Sequence, residues 1–402
     1  MFLSRRVIFQ RLTGGKKLSD TQTKLWLYLT TKTEISKSRL VSLYKLFGSA
    51  KAIFEATQKE LCQSQLLSEE EAGRILNPDF SETDEYMGIL GRNSVKVLTV
   101  ESSEYPEMLY SLSNPPLVLY CRGKFIDLNK FLCIASVGTR KPTAYGRRMT
   151  YSITRRLCEK GCIIVSGMAQ GIDAVSHKAA IDMGYPTVAF VASGVDIIYP
   201  RVNTELFRAI LKTGMIVSEY PLGEMPKNYY FPERNRLVAG VSRGLFVSEA
   251  SPKSGTAITI AHAINQGKDI FALPGNADSP MSEEPNRLIK EGAYAVTEAE
   301  DILCHYEALY RENMLLGNSL EEKETAEKVQ INEESPSDKA EIKIPPELSD
   351  EEKVLYVLSS SPLSIDGISV LTKITLESLN MMLLMLEMNG KIKNDNGNYY
   401  LL

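Results

Sequence analysis

Apolar positions in the first part of the chain recur at spacings of three and four, with Leu40, Leu43, Leu46 and Phe47 on one side of a helical turn pattern. The step Leu46-Phe47-Gly48-Ser49-Ala50 reads as a helix end, a glycine turn and a new start. Short helices are therefore expected over about residues 19–76, in a small all-α domain assigned to residues 19–90. From about residue 131 the period changes. Short apolar runs rich in Val and Ile at 131–137, 162–166, 187–192, 215–218, 245–247 and 269–273 read as strands. Helical stretches at 145–158, 172–183, 204–211 and 256–265 lie between them. Strand, helix and strand at this spacing imply right-handed crossovers and a mostly parallel sheet covered on both faces, an α/β Rossmann-like body of roughly 180 residues.

Residues 318–346 break both periods. They are charged, poor in aromatics and interrupted by Pro336, Pro345 and Pro346, which predicts a flexible linker, assigned to 311–346. Beyond it, 350–359, 364–371 and 375–388 read as three helices, and 391–402, centred on Asn396-Gly397, as a β-hairpin. That is the pattern of a winged helix over 347–402. Residues 1–18 stand apart as an N-terminal extension.

Composition narrows the classes. The chain carries 46 basic and 50 acidic residues, and residues 318–344 alone hold eight acids against four lysines, so the remainder has 42 of each. A nucleic-acid site must then be a local patch on a neutral body. The first sixty residues hold twelve Lys or Arg against four acids; a solvated helix surface and a phosphate-facing one both account for this. No apolar run is long enough to span a bilayer, and the start has no signal-peptide pattern. Six scattered cysteines fit reduced thiols of a cytoplasmic protein. Only Cys158 and Cys162 lie close together, and core packing accounts for them better than zinc does.

In open parallel sheets ligands bind where strands end. The residues there are Gly138-Thr139-Arg140-Lys141, Ser166-Gly167-Met168-Ala169-Gln170-Gly171, Ser193-Gly194 and Ser254-Gly255-Thr256. Glycine amides, hydroxyls and helix N-termini together suit an anion, so a phosphate cradle is expected; tight strand-to-helix turns would need the same glycines. Neither a G-x-G-x-x-G nor a P-loop fingerprint is present, so no nucleotide cofactor is expected. A second segment, Lys227-Asn228-Tyr229-Tyr230-Phe231-Pro232-Glu233-Arg234-Asn235-Arg236, sets aromatic rings beside cations. Pro232 suits a first helical turn with Leu237, Val238 and Val241 buried, leaving a platform for unpaired bases. At least one of Arg234 and Arg236 is expected to be structural. Ser166, Asp173 and His177 contain the residue types of a triad, but Asp173 and His177 lie one turn apart on one helix and no nucleophile elbow is present, so His177 is read as a helix-surface histidine.

With those residues in view, the chain resembles the DNA-processing protein A family (DprA, also called Smf). The resemblance runs in order through Ser136-Val137-Gly138-Thr139-Arg140, Ser166 to Asp173, His177, Gly194, Tyr199-Pro200, Asn203, Ser218-Glu219, Phe231 to Arg236, Glu249, Ser254-Gly255-Thr256 and Pro274-Gly275. It implies a helical domain of sterile-alpha-motif or helix-hairpin-helix type, an extended Rossmann domain over 91–310 and a C-terminal winged helix. It also implies a non-catalytic function: binding and protecting single-stranded DNA in natural transformation or recombination, and loading the RecA recombinase onto it. The contacts it implies are Gly138, Thr139, Arg140, Ser166, Gly167, Lys227, Phe231 and Arg234, to which the strand-end clusters add Lys141, Gly171, Asn235, Arg236, Ser254, Gly255 and Thr256. A homodimer through residues 257–273 is implied as well.

The enzymatic alternative is a nucleotide-processing, phosphoribohydrolase-like protein on a related fold. Its P-G-G-x-G-T-x-x-E motif would put a glutamate at 259, where this chain has Thr259. A pure interaction scaffold is a third option. The third helix of the winged helix contains no Lys or Arg, which makes it a poor DNA reader and a better protein-contact module, its methionines expected mainly in the core.

Overall fold

The structure is a computed structural model that describes residues 20–252, 254–307, 349–358, 363–395 and 398–401. The expected N-terminal extension and linker, Lys253 and the Asn396-Gly397 turn lie outside the described residues. The chain divides into two units, residues 1–326 and 327–402.

Among the described residues the first unit begins with six helices: α1 (Asp20–Thr31), α2 (Lys37–Phe47), α3 (Ala50–Glu55), α4 (Gln58–Gln63), α5 (Glu69–Leu76) and α6 (Ser81–Arg92). Local chemistry sets their ends. Gly48 closes α2 in the left-handed region at φ 81°, and the Ser49 hydroxyl accepts from Ala52 N to start α3. Leu40 and Leu43 are buried as their spacing predicts, but Leu46 is exposed. These helices share one continuous core with the sheet through Trp26, Leu43, Leu98 and Tyr105. Trp26 Nε1 also donates to Glu101 at 2.7 Å.

The sheet has nine strands in the order β1-β2-β6-β5-β4-β3-β7-β8-β9. The parallel strands are β3 (Cys133–Val137), β4 (Ile163–Ser166), β5 (Thr187–Phe190), β6 (Met215–Ser218), β7 (Gly244–Val247), β8 (Asp269–Ala272) and β9 (Tyr294–Ala295). Helices α7 (Ala144–Glu159), α8 (Ile172–Asp182), α9 (Thr204–Thr213), α10 (Tyr230–Gly240) and α11 (Thr256–Asn265) connect them, with α12 (Glu283–Lys290) and α13 (Glu300–Leu303) beyond. Alternation along the strands feeds two layers: Cys133, Ala135 and Val137 face the core shared with α1–α6, while Ile134 faces Leu157, Phe246 and Phe271 on the other side. The expected six parallel strands are present, mostly one or two residues shorter. The edge hairpin β1 (Val95–Thr99) and β2 (Val118–Gly123), antiparallel to β6, is an addition that the reading of parallel crossovers did not contain.

The second unit packs α14 (Asp350–Leu358), α15 (Ile365–Thr372) and α16 (Leu376–Met388) around Val354, Val357, Ile368, Leu379, Leu383 and Leu386. Strands β10 (Leu363–Ser364), β11 (Ile392–Asp395) and β12 (Asn398–Leu401) form its wing, with Asp395 opposite Asn398. The methionine expectation holds for Met382, which packs against this core, but not for Met381 and Met385, which are 70% and 62% exposed. The apolar period of α16 is filled by Leu379, Leu383 and Leu386, so those methionines fall on the outer face.

Candidate nucleic-acid interface

Six parallel strands, β3 to β8, end at one rim, and the loops leaving it carry the residues singled out from the sequence. These loops lock onto one another. Thr139 N donates to Glu249 O at 2.6 Å, and Ile172 N donates to Thr139 O at 3.1 Å. A Cβ on Gly138 would run into Ile172 and the Glu249 carbonyl, one on Gly167 into the Arg234 guanidinium, and one on Gly171 (φ +82°) into the backbone of Thr139 and Arg140. Close packing alone thus requires all three glycines.

Of the expected amide cradle for phosphate, the loop after β4 is already taken by one of the protein's own carboxylates, and a second carboxylate holds the start of α7. Asp173 Oδ2 accepts from Gly167 N and Ala169 N, both at 3.2 Å. Glu249 accepts from Thr143 N at 2.8 Å and Thr143 Oγ1 at 2.6 Å, at the start of α7, and its carboxylate lies where a Cβ on Gly146 would be. A tethered carboxylate satisfies such donors without the loss of translational freedom that a bound ion would suffer. Burial raises the Asp173 carboxyl above its ordinary value; the Arg234 charge and the two amides oppose that shift.

Arg234 is a correction to the sequence reading. It is 5% exposed, and its guanidinium donates to the carbonyls of Gly167 and Phe190 and, through Nε, to Asn235 Oδ1 at 3.0 Å. Burial lowers it to about 10. It therefore ties the ends of β4 and β5 together from beneath the rim. Arg236 is also structural: it donates to Glu219 at 2.6 Å, and both side chains are largely buried. Asn235 is half-buried beside them. Ser166 is fully buried and donates to Ser136 O at 2.6 Å. Thr256 is buried at the start of α11, Ser254 is half-buried and Gly255 alone of the three is exposed.

Ser166 and Asp173 are engaged as just described, and His177 is a buried residue, not a helix-surface one. The Thr187 hydroxyl donates its only hydrogen to Ile164 O at 2.7 Å, so at its 2.8 Å contact with His177 Nδ1 the imidazole is the donor. His177 Nε2 then faces the interior without a hydrogen-bond partner, and burial lowers the imidazole to about 3. Cys158 and Cys162 are buried as well, with burial pushing Cys162 up to about 12, and no cluster of three or more metal-ligating side chains exists among the described residues.

What faces solvent is a set of cations and rings. Arg140 and Lys141 are exposed and have no ion-pair partner among the described residues. Lys227 is exposed but paired with Glu224 at 2.6 Å and hydrogen-bonded to Tyr230 Oη at 3.1 Å. The Tyr199 and Phe231 rings lie 5.8 Å apart, Tyr199 exposed and Phe231 half-buried, and Tyr229 is 60% exposed. A chain of contacts puts Arg140 and these rings on one rim. The Arg140 backbone packs on Gly171; Asn203 Nδ2 donates to Met168 O at 2.9 Å and Ala169 O at 3.2 Å in that same loop; and Tyr199, just before Asn203, meets Phe231.

Three residues of this surface, Arg147, Arg148 and Arg201, were not singled out from the sequence, and Tyr199 entered there only through the family resemblance, not as a contact. Tyr199 and Arg201 come from the loop after β5, and Arg147 and Arg148 from the start of α7; all are exposed. Arginines near a helix start oppose the helix dipole, a signal that was legible for Arg147 and Arg148.

Fold and site together define an α/β protein with a cationic and aromatic rim and a separate winged-helix unit. The family model for DNA recombination-mediator protein A matches residues 96–307, and that for the DprA winged helix domain matches residues 338–398. The chain belongs to the DNA recombination-mediator protein A (DprA/Smf) family. It is 40% identical over 208 residues to DNA processing protein DprA of Bacillus subtilis, covering 52% of this chain and 70% of that one. It is 33% identical over 318 residues to Protein Smf of a Synechocystis species, covering 75% and 79%. The solved structure of DprA from Streptococcus pneumoniae superposes with a TM-score of 0.63 at 29% identity, over 72% of this chain and 98% of that one.

Proposed function

We propose that this protein binds single-stranded DNA without sequence preference along the strand-end rim, protects it, and passes it to the RecA recombinase during transformation or recombination. The observation that carries this reading is the joint presence of unpaired Arg140 and Lys141 and the Tyr199–Phe231 ring pair on one rim. Cations neutralise the backbone while rings stack on bases, a combination indifferent to sequence. Membership of a recombination-mediator family supports the same direction.

The protein acts here as a binder, not an enzyme. Thr259 stands where the hydrolase-like alternative needs its glutamate, and Ser166, Asp173 and His177 are each engaged in structural hydrogen bonds. A homodimer is supported by α11, which holds no charged residue and exposes Ile258 and Ile264. Cysteines free of disulfides fit a cytoplasmic location, and no helix among the described residues is long and apolar enough to cross a membrane.

Fluorescence titration of labelled oligothymidine tests the site. Loss of one stacked base in Phe231→Ala is expected to weaken binding by about 1–3 kcal/mol, and Arg140→Ala to weaken it with a reduced salt dependence. Wild-type affinity in both variants would refute the assignment.

A further inference from the structure

A second group of cations lies at the other end of the sheet. Because β2 runs antiparallel to β6, Gly123 sits opposite Met215, at the strand ends remote from Arg140 and Phe231. There the last turns of α6 and α9 and the end of β2 enclose an open cavity of about 600 Å³. Its lining includes Arg92, Arg122, Lys124 and Lys212, together with Ser94 and Asn93, and contains no carboxylate. Strand pairing and a loop hydrogen bond hold the wall in place: Val95 is opposite Arg122, and Lys124 N donates to Gly214 O at 2.9 Å.

Several other cations in last helical turns among the described residues have acidic partners. Arg74 pairs with Glu34 and Glu70, Arg156 with Glu159 and Glu300, and Arg287 with Glu284 and Glu291. Arg92, Arg122 and Lys212 have no ion-pair partner among the described residues. Arg92 and Lys212 lie in last turns, where helix carbonyls favour a cation, and that would explain each of them alone. It does not explain Arg122, which is on a strand, nor why all three converge on one acid-free hollow. Like charges gathered this way repel, and a bound anion relieves the repulsion.

We propose that this cavity binds phosphate groups of a nucleic-acid backbone, as a second contact separate from the rim. Its volume suits a small ligand, but its open, cation-lined wall favours a polyanion lying across it over an enclosed molecule. The shared chemistry is a phosphate oxyanion, and a free nucleotide or inorganic phosphate is the other source of it. The site goes beyond the function proposed above and does not need the rim to be correctly assigned.

The test uses the full chain with Arg92→Gln, Arg122→Gln and Lys212→Gln combined, and a charge-preserving partner with Arg92→Lys and Arg122→Lys; thermal unfolding checks that both fold. Each is titrated with oligothymidine of about 6 nucleotides, a length one binding surface accommodates, and with oligomers several times longer. The expected result is that the Gln variant binds the short oligomer like wild type. It binds the long one about tenfold more weakly at low salt, with a log-log salt slope smaller by about 2, for three contacts at about 0.7 each. The Lys variant keeps wild-type behaviour. Long-oligomer affinity and slope unchanged in the Gln variant would overturn the proposal, as would equal loss in the Gln and Lys variants. Calorimetry with inorganic phosphate and thymidine monophosphate separates the sources: saturable binding that the Gln variant abolishes, with long-oligomer binding untouched, would replace nucleic acid by a free anion and so overturn the assignment. Failure of the rim assignment would instead appear in the short oligomer with Arg140→Ala.

Discussion

Phe231 and Arg234 lie within one turn of α10 and serve opposite ends: the ring reaches Tyr199 at the rim, while the guanidinium is sealed under Gly167 and Phe190. Their variants should separate accordingly. Arg234→Ala leaves two carbonyls without a donor and Asp173 without its nearby positive charge, so it is expected to lower unfolding stability by about 3–5 kcal/mol in a denaturant titration. A loss of DNA binding with full stability would refute that structural role. His177 makes a second residue-level prediction. Its imidazole is lowered to about 3 in the folded state against about 6.5 when unfolded, so between those values the unfolded chain takes up the proton that the folded one refuses. Stability therefore falls as pH drops from about 6.5 toward 4, and His177→Asn, whose amide can still donate to Thr187, should flatten that fall. Midpoints of urea unfolding across this range report it; identical slopes for wild type and variant would exclude His177 as the cause. Glycine positions were legible in the sequence as strand-to-helix turns, but the amides of Gly167 and Ala169 are held by Asp173, an anion supplied from within the chain.

At the scale of elements, α11 and α16 present opposite puzzles. Helix α11 has an ordinary buried side through Thr259, Ile260 and Ala263, and an outer side with Ile258 and Ile264 and no charge to keep a partner away. Ile258→Asp with Ile264→Asp is expected to convert a dimer to a monomer in light scattering, and an unchanged mass would rule out α11 as the interface. Helix α16 exposes Met381, Leu384 and Met385 where a DNA-reading helix would carry cations. Removal of residues 347–402 should thus leave oligothymidine affinity within about twofold, since phosphate contacts dominate such binding. The order and type of these elements could be read from the change of hydrophobic period near residue 131 and again after 346. The hairpin β1–β2 could not, because it is set by pairing of Val97 with Tyr120 and of Tyr120 with Ser218, contacts far apart in sequence.

For the molecule as a whole, net charge is a poor guide. Outside the acidic stretch the chain balances 42 against 42, yet the structure gathers unpaired cations at both ends of the sheet. Binding to single-stranded DNA should weaken with salt at a log-log slope of roughly −2 to −3 for three or four phosphate contacts, and steeper for oligomers that reach the second cavity. A salt-independent affinity would contradict the electrostatic basis of the rim. The sequence by itself determined the α/β class, the winged helix and the strand ends at which to look, because these follow from local periodicity and turn chemistry. Tertiary structure alone decided which cations reach solvent. Arg140 and Arg234 are the same residue type, and Arg234 is buried only because Phe190 and Gly167, 44 and 67 positions away, bring their carbonyls to it. Burial of a charge depends on partners assembled by the fold, and no local pattern encodes where those partners will stand.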